Sequence, residues 1–361
     1  MRLLIVEDEA TQIQLYIDVI ESFNKQNGTE IIPIPLNSLD EAKKALLSSE
    51  YDAAIVDLRL SSNTVDLEGL ELIDEIIDKL RFPLFIVSGS IAQIDKEENF
   101  LFKKRSRDGN FQDVLSEIIE VYNTGITHIL GRKGKIDEYL NKIFWDHLSA
   151  SMDIWINDQS RTPEQKQKIL ERYILLHIQE YLELTTESDF EDYHPAEIYI
   201  TPPIKTKLFT GDILLENDSQ KRYIVLTPSC DLAHEGKTEN VLLVEVEDKR
   251  NGQISELKAI INNNELGKDK RNNASGKLKN LIKNNIPKYH FLPEYKDLSA
   301  GLIDFQLLKS VNKNDITNRF TRLTSVNNSF TKDIVSRFSF YYSRQGSPDF
   351  NVDEIYDTLL K

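Results

Sequence analysis

Two short stretches decide how this chain is read: Leu3-Leu4-Ile5-Val6-Glu7-Asp8-Glu9 and Ala53-Ala54-Ile55-Val56-Asp57. Each is an apolar run of strand length that ends in carboxylates. A third run, Leu84-Phe85-Ile86-Val87, ends in Ser88, and a fourth, Phe100-Leu101-Phe102, ends in Lys103. In a parallel α/β sheet, ligand-handling groups gather at the carboxyl ends of the strands. Neighbouring strands would then bring Glu7, Asp8 and Asp57 to one place, where their mutual repulsion is tolerable around a hard cation such as Mg2+. Carboxylates, a hydroxyl and an ammonium at successive strand ends suit phosphoryl transfer, which requires charge on the moving group to be neutralised.

Over about residues 1–122 these features resemble the receiver domain of two-component response regulators. The resemblance implies an α/β, flavodoxin-like (βα)5 fold with a parallel sheet. It implies that Asp57 accepts a phosphoryl group from a histidine kinase or phosphotransfer protein. Mg2+ would be held by Asp8, by Asp57, by Glu7 through water and by the main-chain carbonyl of Arg59. Ser88 would donate to the phosphoryl group, Lys103 would pair with its oxygens, and Phe100 would be the aromatic switch. The chain departs from the family pattern at several points. Glu7 replaces the commoner aspartate, Lys104 stands where proline usually follows the lysine, and the loop at Ser61-Ser62-Asn63-Thr64-Val65 is long. Fourteen residues separate Ser88 from Lys103, which is short for a fourth helix with its two loops.

A length of 361 residues suggests two or three domains, and 40% hydrophobic with 29% charged residues is an ordinary globular balance. No apolar stretch approaches the roughly 18 to 20 residues of a membrane span, so no membrane association is expected. A strand starting at residue 3 leaves no room for a signal peptide, and the single cysteine, Cys230, fits a reducing compartment, so a cytoplasmic location is expected. The net charge of −15 is uneven, with −12 on residues 1–125, −6 on 126–200 and +3 on 201–361. Long-range repulsion disfavours nucleic acid as a partner, although a local basic surface could still bind it.

Beyond the receiver, residues 123–198 read as a helical hairpin or linker. Ile136, Leu140, Ile143, Phe144, Leu148, Met152 and Trp155 form an apolar stripe, and Thr162-Pro163-Glu164-Gln165 opens a second helix with a capping box. The hairpin could mediate a homodimer or transmit the signal, or it could simply pack as core. Residues 199–361 read as a β-rich output domain, a small, partly open and SH3-like barrel. Strands are expected at 205–209, 212–215, 222–227, 241–246, 254–261, 302–308 and 320–324, with a hairpin turn at Asn251-Gly252. Helices are expected at 276–283 and 331–342.

Gly211-Asp212-Ile213, Ser229-Cys230-Asp231-Leu232 and the aromatic-arginine end Ser336–Pro348 resemble an uncharacterised bacterial module with no secure activity. Cys230 could act as a nucleophile with His234 as base and Asp231 beside it, but a buried or turn-forming cysteine is the blander reading. Lys268–Lys288 carries seven basic residues and one acid ahead of Tyr289, His290 and Phe291, a pattern compatible with nucleic acid or with a solvated helix. The favoured function is a response regulator that passes its phosphorylation state to the C-terminal module. Apart from self-phosphorylation and slow autodephosphorylation, no enzymatic activity is expected. The alternatives are a decoy receiver acting as a phosphate sink, and a receiver-gated enzyme using Cys230.

Overall fold

Alternation along the first strand builds two cores at once. In the computed structural model, which describes all residues except 49, 61–67, 90, 184–191, 235, 249–251 and 345–348, Leu4 and Val6 face one side of β1 (Arg2–Val6), and Leu3 and Ile5 face the other. All four are completely buried, as expected for a strand covered on both faces. The order continues as α1 (Ala10–Asn27), β2 (Ile32–Leu36), α2 (Leu39–Ser48), β3 (Ala53–Val56), α3 (Glu68–Lys79), β4 (Leu84–Ser88), β5 (Phe102–Ser106) and α4 (Phe111–Tyr122). The five strands are parallel in the order β2-β1-β3-β4-β5, the doubly wound, flavodoxin-like topology. Tyr16, Ile20, Phe111 and Leu115, from α1 and α4, cover one face. Ala42, Leu46, Leu72 and Ile76, from α2 and α3, cover the other.

One crossover is not helical. Between β4 and β5 the described residues form only a single 3-10 turn, Ile91–Gln93, so the fold lacks the fourth helix of a full (βα)5 repeat. The short spacing after Ser88 anticipated this.

The chain divides into two compact units, Met1–Asp189 and Phe190–Lys361. The helical segment belongs to the first. It comprises α5 (Ile126–Leu130), α6 (Lys135–Lys142), a π-helical stretch (Ile143–Leu148), α7 (Ser149–Asn157) and α8 (Pro163–Glu183). The capping box that opens α8 is formed reciprocally: Gln165 N donates to Thr162 Oγ1 at 3.3 Å, and Thr162 N donates to Gln165 Oε1 at 3.0 Å.

The second unit contains β6 (Tyr199–Ile200), β7 (Asp212–Glu216), β8 (Arg222–Val225), α9 (Ser229–Ala233), β9 (Asn240–Asp248), α10 (Gln253–Asn262), α11 (Lys268–Ile282), β10 (Tyr289–Leu292), β11 (Gly301–Asn312), α12 (Ile316–Arg319), β12 (Phe320–Val326), α13 (Asn328–Ser343) and α14 (Val352–Leu359). Its strands form one curled antiparallel sheet in the order β10-β11-β9-β8-β7-β12-β6. Among the described residues no pairing joins β10 to β6, so the sheet has two edges.

Two expected strands are not strands. Residues 254–261 lie in the helix α10, where Ile254 packs with Leu281 and Tyr289 while Glu256, Lys258 and Ala259 face solvent. Residues 205–209 form an irregular segment pinned by Arg322, whose guanidinium donates to the carbonyls of Lys205 and Lys207. The loop at 61–65, Asn251 of the expected hairpin turn and the 345–348 end of the aromatic-arginine stretch lie outside the described residues.

Candidate functional site

Pairing of β1 with β3 is in register from Leu3–Ala53 to Val6–Val56, so Glu7 and Asp57 emerge side by side. Main-chain bonds fix both exits: Glu7 N donates to Leu36 O at 3.0 Å, and Asp57 N donates to Val6 O at 2.9 Å. Ligand oxygens of Glu7, Asp8 and Asp57 lie within 4.8 Å of one another. Glu7 and Asp57 are buried, and Asp8 is exposed. Burial pushes the Glu7 carboxyl up to about 7, against the opposing pull of its bond from Glu9 N and the nearby guanidinium of Arg107.

Arg107, the residue after β5, supplies the positive charge. Its Nη2 donates to Asp57 Oδ2 at 2.8 Å and to Glu7 Oε2 at 2.9 Å, and its Nη1 donates to Glu9 Oε2 at 3.2 Å. One guanidinium thus bridges three carboxylates through a planar fork, a geometry that an ammonium cannot reproduce. Asp57 Oδ2 also accepts weakly from Arg59 N at 3.4 Å, while Asp57 Oδ1 is buried without a hydrogen-bond partner. An orphaned buried carboxylate oxygen inside a three-carboxylate cluster is the donor set a hard divalent cation takes, so these residues fit Mg2+. Tyr16 is packed on Phe111 behind the cluster, and burial pushes its hydroxyl up to about 12.

The structure separates two of the expected residues from this cluster. Lys103 is the second residue of β5, paired with Phe85, and its Nζ donates to Glu117 Oε2 of α4 at 2.6 Å. Phe100 precedes β5 and is 83% exposed. Both therefore lie at the amino end of the strand, and the residue at the carboxyl end is Arg107. The sequence reading placed the strand on the apolar run 100–102. The actual strand is Phe102-Lys103-Lys104-Arg105-Ser106, of which only Phe102 is buried.

Side-chain pairing explains why a basic strand is tolerated there. Lys103 and Arg105 share one face and both bond Glu117, while Lys104 Nζ donates to the carbonyls of Ile94 and Lys96 on the other. Asn99 starts the strand late, since its Oδ1 accepts from the main-chain N–H of both Leu101 and Phe102. The available signal was spacing: Arg107 lies four residues before the start of α4, at the β5–α4 turn. Ser88 ends β4 in register with Ser106 and is buried.

In the second unit, Cys230 lies exposed in the five-residue helix α9, and its Sγ donates to Asp231 Oδ1 at 3.4 Å. Asp231 also pairs with Lys237 at 2.7 Å, and His234 is the helix C-cap. The described contacts include no hydrogen bond from Cys230 to His234. Tyr289 and His290 are buried in β10, so they offer no stacking platform beside the basic helix α11.

Among the described residues no helix is long and apolar enough to cross a membrane. No protein-family model matches the chain, and no curated protein matches it. Solved structures similar to it include a CheY-like response regulator receiver domain from Methylobacillus flagellatus, 22% identical, with a TM-score of 0.27 over 33% of this chain and 98% of that one. A Francisella response regulator receiver domain is 17% identical, with a TM-score of 0.27 over 34% and 97% of the two chains. The response regulator TrrA from Thermotoga maritima, solved in complex with Mg2+ and BeF, is 19% identical, with a TM-score of 0.27 over 33% and 97%.

Proposed function

We propose that the first unit is a phosphoacceptor receiver and that the chain is a two-component response regulator. The observation that carries this reading is the convergence of Glu7, Asp8 and Asp57 with a single guanidinium at the carboxyl end of a parallel sheet. An oxygen of Asp57 attacks the phosphorus of a phosphohistidine on the donor protein. The P–N bond breaks, the imidazole leaves with a proton, and an acyl phosphate forms on Asp57. Asp8, Asp57, the Arg59 carbonyl and, through water, Glu7 would hold Mg2+, which when bound would neutralise charge on the transferred group.

Arg107 takes the place first assigned to Lys103. On phosphorylation its fork exchanges a carboxylate oxygen of Asp57 for phosphoryl oxygens, and the Ser88 hydroxyl donates to the same group. The contacts made only in the phosphorylated state give the switch its differential free energy. Phe100 has no part in this, and the signal passes to the second unit as its output domain.

The test is incubation with Mg2+ and acetyl phosphate followed by intact mass measurement, with a phosphorylatable receiver alongside. One added phosphoryl group on the wild type, lost in Asp57→Asn and in chelator, supports the reading. An unmodified wild type beside a modified control overturns it.

A further inference from the structure

The hairpin formed by α6, the π-helical stretch, α7 and α8 has a thin core, with only Ile143 and Leu148 of the π-helical stretch buried. No residue of α6, α7 or α8 is buried, and the inner seam is built from half-covered rings, with His147 Nε2 2.8 Å from the Tyr181 hydroxyl and the His147 and His177 rings 4.8 Å apart. Meanwhile large apolar side chains face outward. Leu175 is 63% exposed, Leu182 59% and Trp145 67%, and the sequence stripe that should have been covered leaves Phe144 and Met152 exposed as well. Isolated surface leucines are unremarkable, but a helix pair that buries only Ile143 and Leu148 while its larger apolar side chains face outward leaves much of its hydrophobic driving force unspent.

We infer that this hairpin is a self-association surface on which a second copy of the chain docks, α8 running antiparallel to its two-fold mate to make a four-helix bundle. Leu175 and Leu182 are one heptad apart and share an exposed stripe with Lys168, Glu171, Arg172 and Gln179. Charge along α8 is self-complementary. Its amino-terminal half and cap carry Arg161, Lys166, Lys168 and Arg172 against Glu164 and Glu171, a net of +2, while the only charges in its last eleven residues are Glu180 and Glu183. Crossing two such helices head to tail at Leu175 sets the basic half of each against the acidic half of its mate and brings Lys168 beside the mate's Glu183. A parallel arrangement sets like charge on like.

A two-fold axis needs one self-complementary patch, and this is one. Two hairpins stacked in this way reach the ordinary bundle architecture.

Sedimentation velocity of the full chain across a dilution series tests the inference. The wild type should be a dimer that dissociates on dilution, and Leu175→Glu with Leu182→Glu should be monomeric at every concentration with an unchanged circular dichroism spectrum. Register is tested independently by Lys168→Glu and Glu183→Lys. Each alone should weaken the dimer about tenfold at low salt, and the pair together should restore it. A wild type that stays monomeric at its highest soluble concentration overturns the inference. So does a dimer unaffected by both the leucine and the charge substitutions, which would place the contact elsewhere on the chain.

Discussion

Among the described residues Arg107 is the one cationic side chain bonded to Asp57, so the proposed phosphoryl chemistry is tested first there. Replacing it with alanine should slow phosphoryl incorporation from a small donor by roughly a hundredfold, the usual cost of losing a donor aimed at developing charge. Lys103→Ala should leave that rate near wild type, since its partner is Glu117. Time courses read by intact mass compare the two directly.

Glu7 sets the pH behaviour. Its carboxyl is raised from 4.5 to about 7 by burial, so between those values the folded chain holds a proton that the unfolded chain does not. The associated stability is fully present below pH 4.5 and fades as pH climbs through 7. Mg2+ takes the charged form, so its affinity should drop as pH falls below 7, and its binding should release a proton. Calorimetric titration of Mg2+ in two buffers of different ionisation enthalpy measures that release. An absence of buffer dependence at pH 6.5 would contradict the assignment.

At the scale of elements, legibility followed burial. β1, β3 and β4 are apolar throughout and covered on both faces, so their bounds and terminal residues were plain in the sequence. β5 is an edge strand of four polar residues out of five, stabilised by Glu117, Glu98 and loop carbonyls contributed from elsewhere in the chain. No local pattern encodes those partners, and so the strand was read as ending at Lys103 where it runs on to Ser106. α10 failed for a different reason: Ile254, Ile260 and Ile261 have strand propensity, but packing on α11 and β10 selects the helix.

Elsewhere an element can be tested by a single atom. Gly211 has φ +91°, and a Cβ there would sit 2.4 Å from Thr331 Oγ1, so Gly211→Ala should destabilise the second unit by about 2 kcal/mol in urea unfolding. His290 in β10 is held near 3 by burial and then by Arg337, so it stays neutral in the folded state. Its contribution is present above the ordinary value of 6.5 and is lost as pH falls below it, a trend that His290→Gln should flatten.

For the whole molecule, the two compact units carry different amounts of testable chemistry. The candidate site lies within Met1–Asp189, and its acidic charge is concentrated there. A cation that binds only the native first unit stabilises it by about 2.7 kcal/mol at a hundredfold excess over Kd. The most direct measurement of the central claim is chemical mapping of the adduct. After incubation with acetyl phosphate and Mg2+, borohydride reduces an acyl phosphate to the alcohol, converting an aspartyl phosphate into homoserine, which peptide mass spectrometry locates. The account predicts homoserine at position 57 alone, dependent on both Mg2+ and phosphodonor. Homoserine at another aspartate, or none while a control receiver is converted, would contradict it.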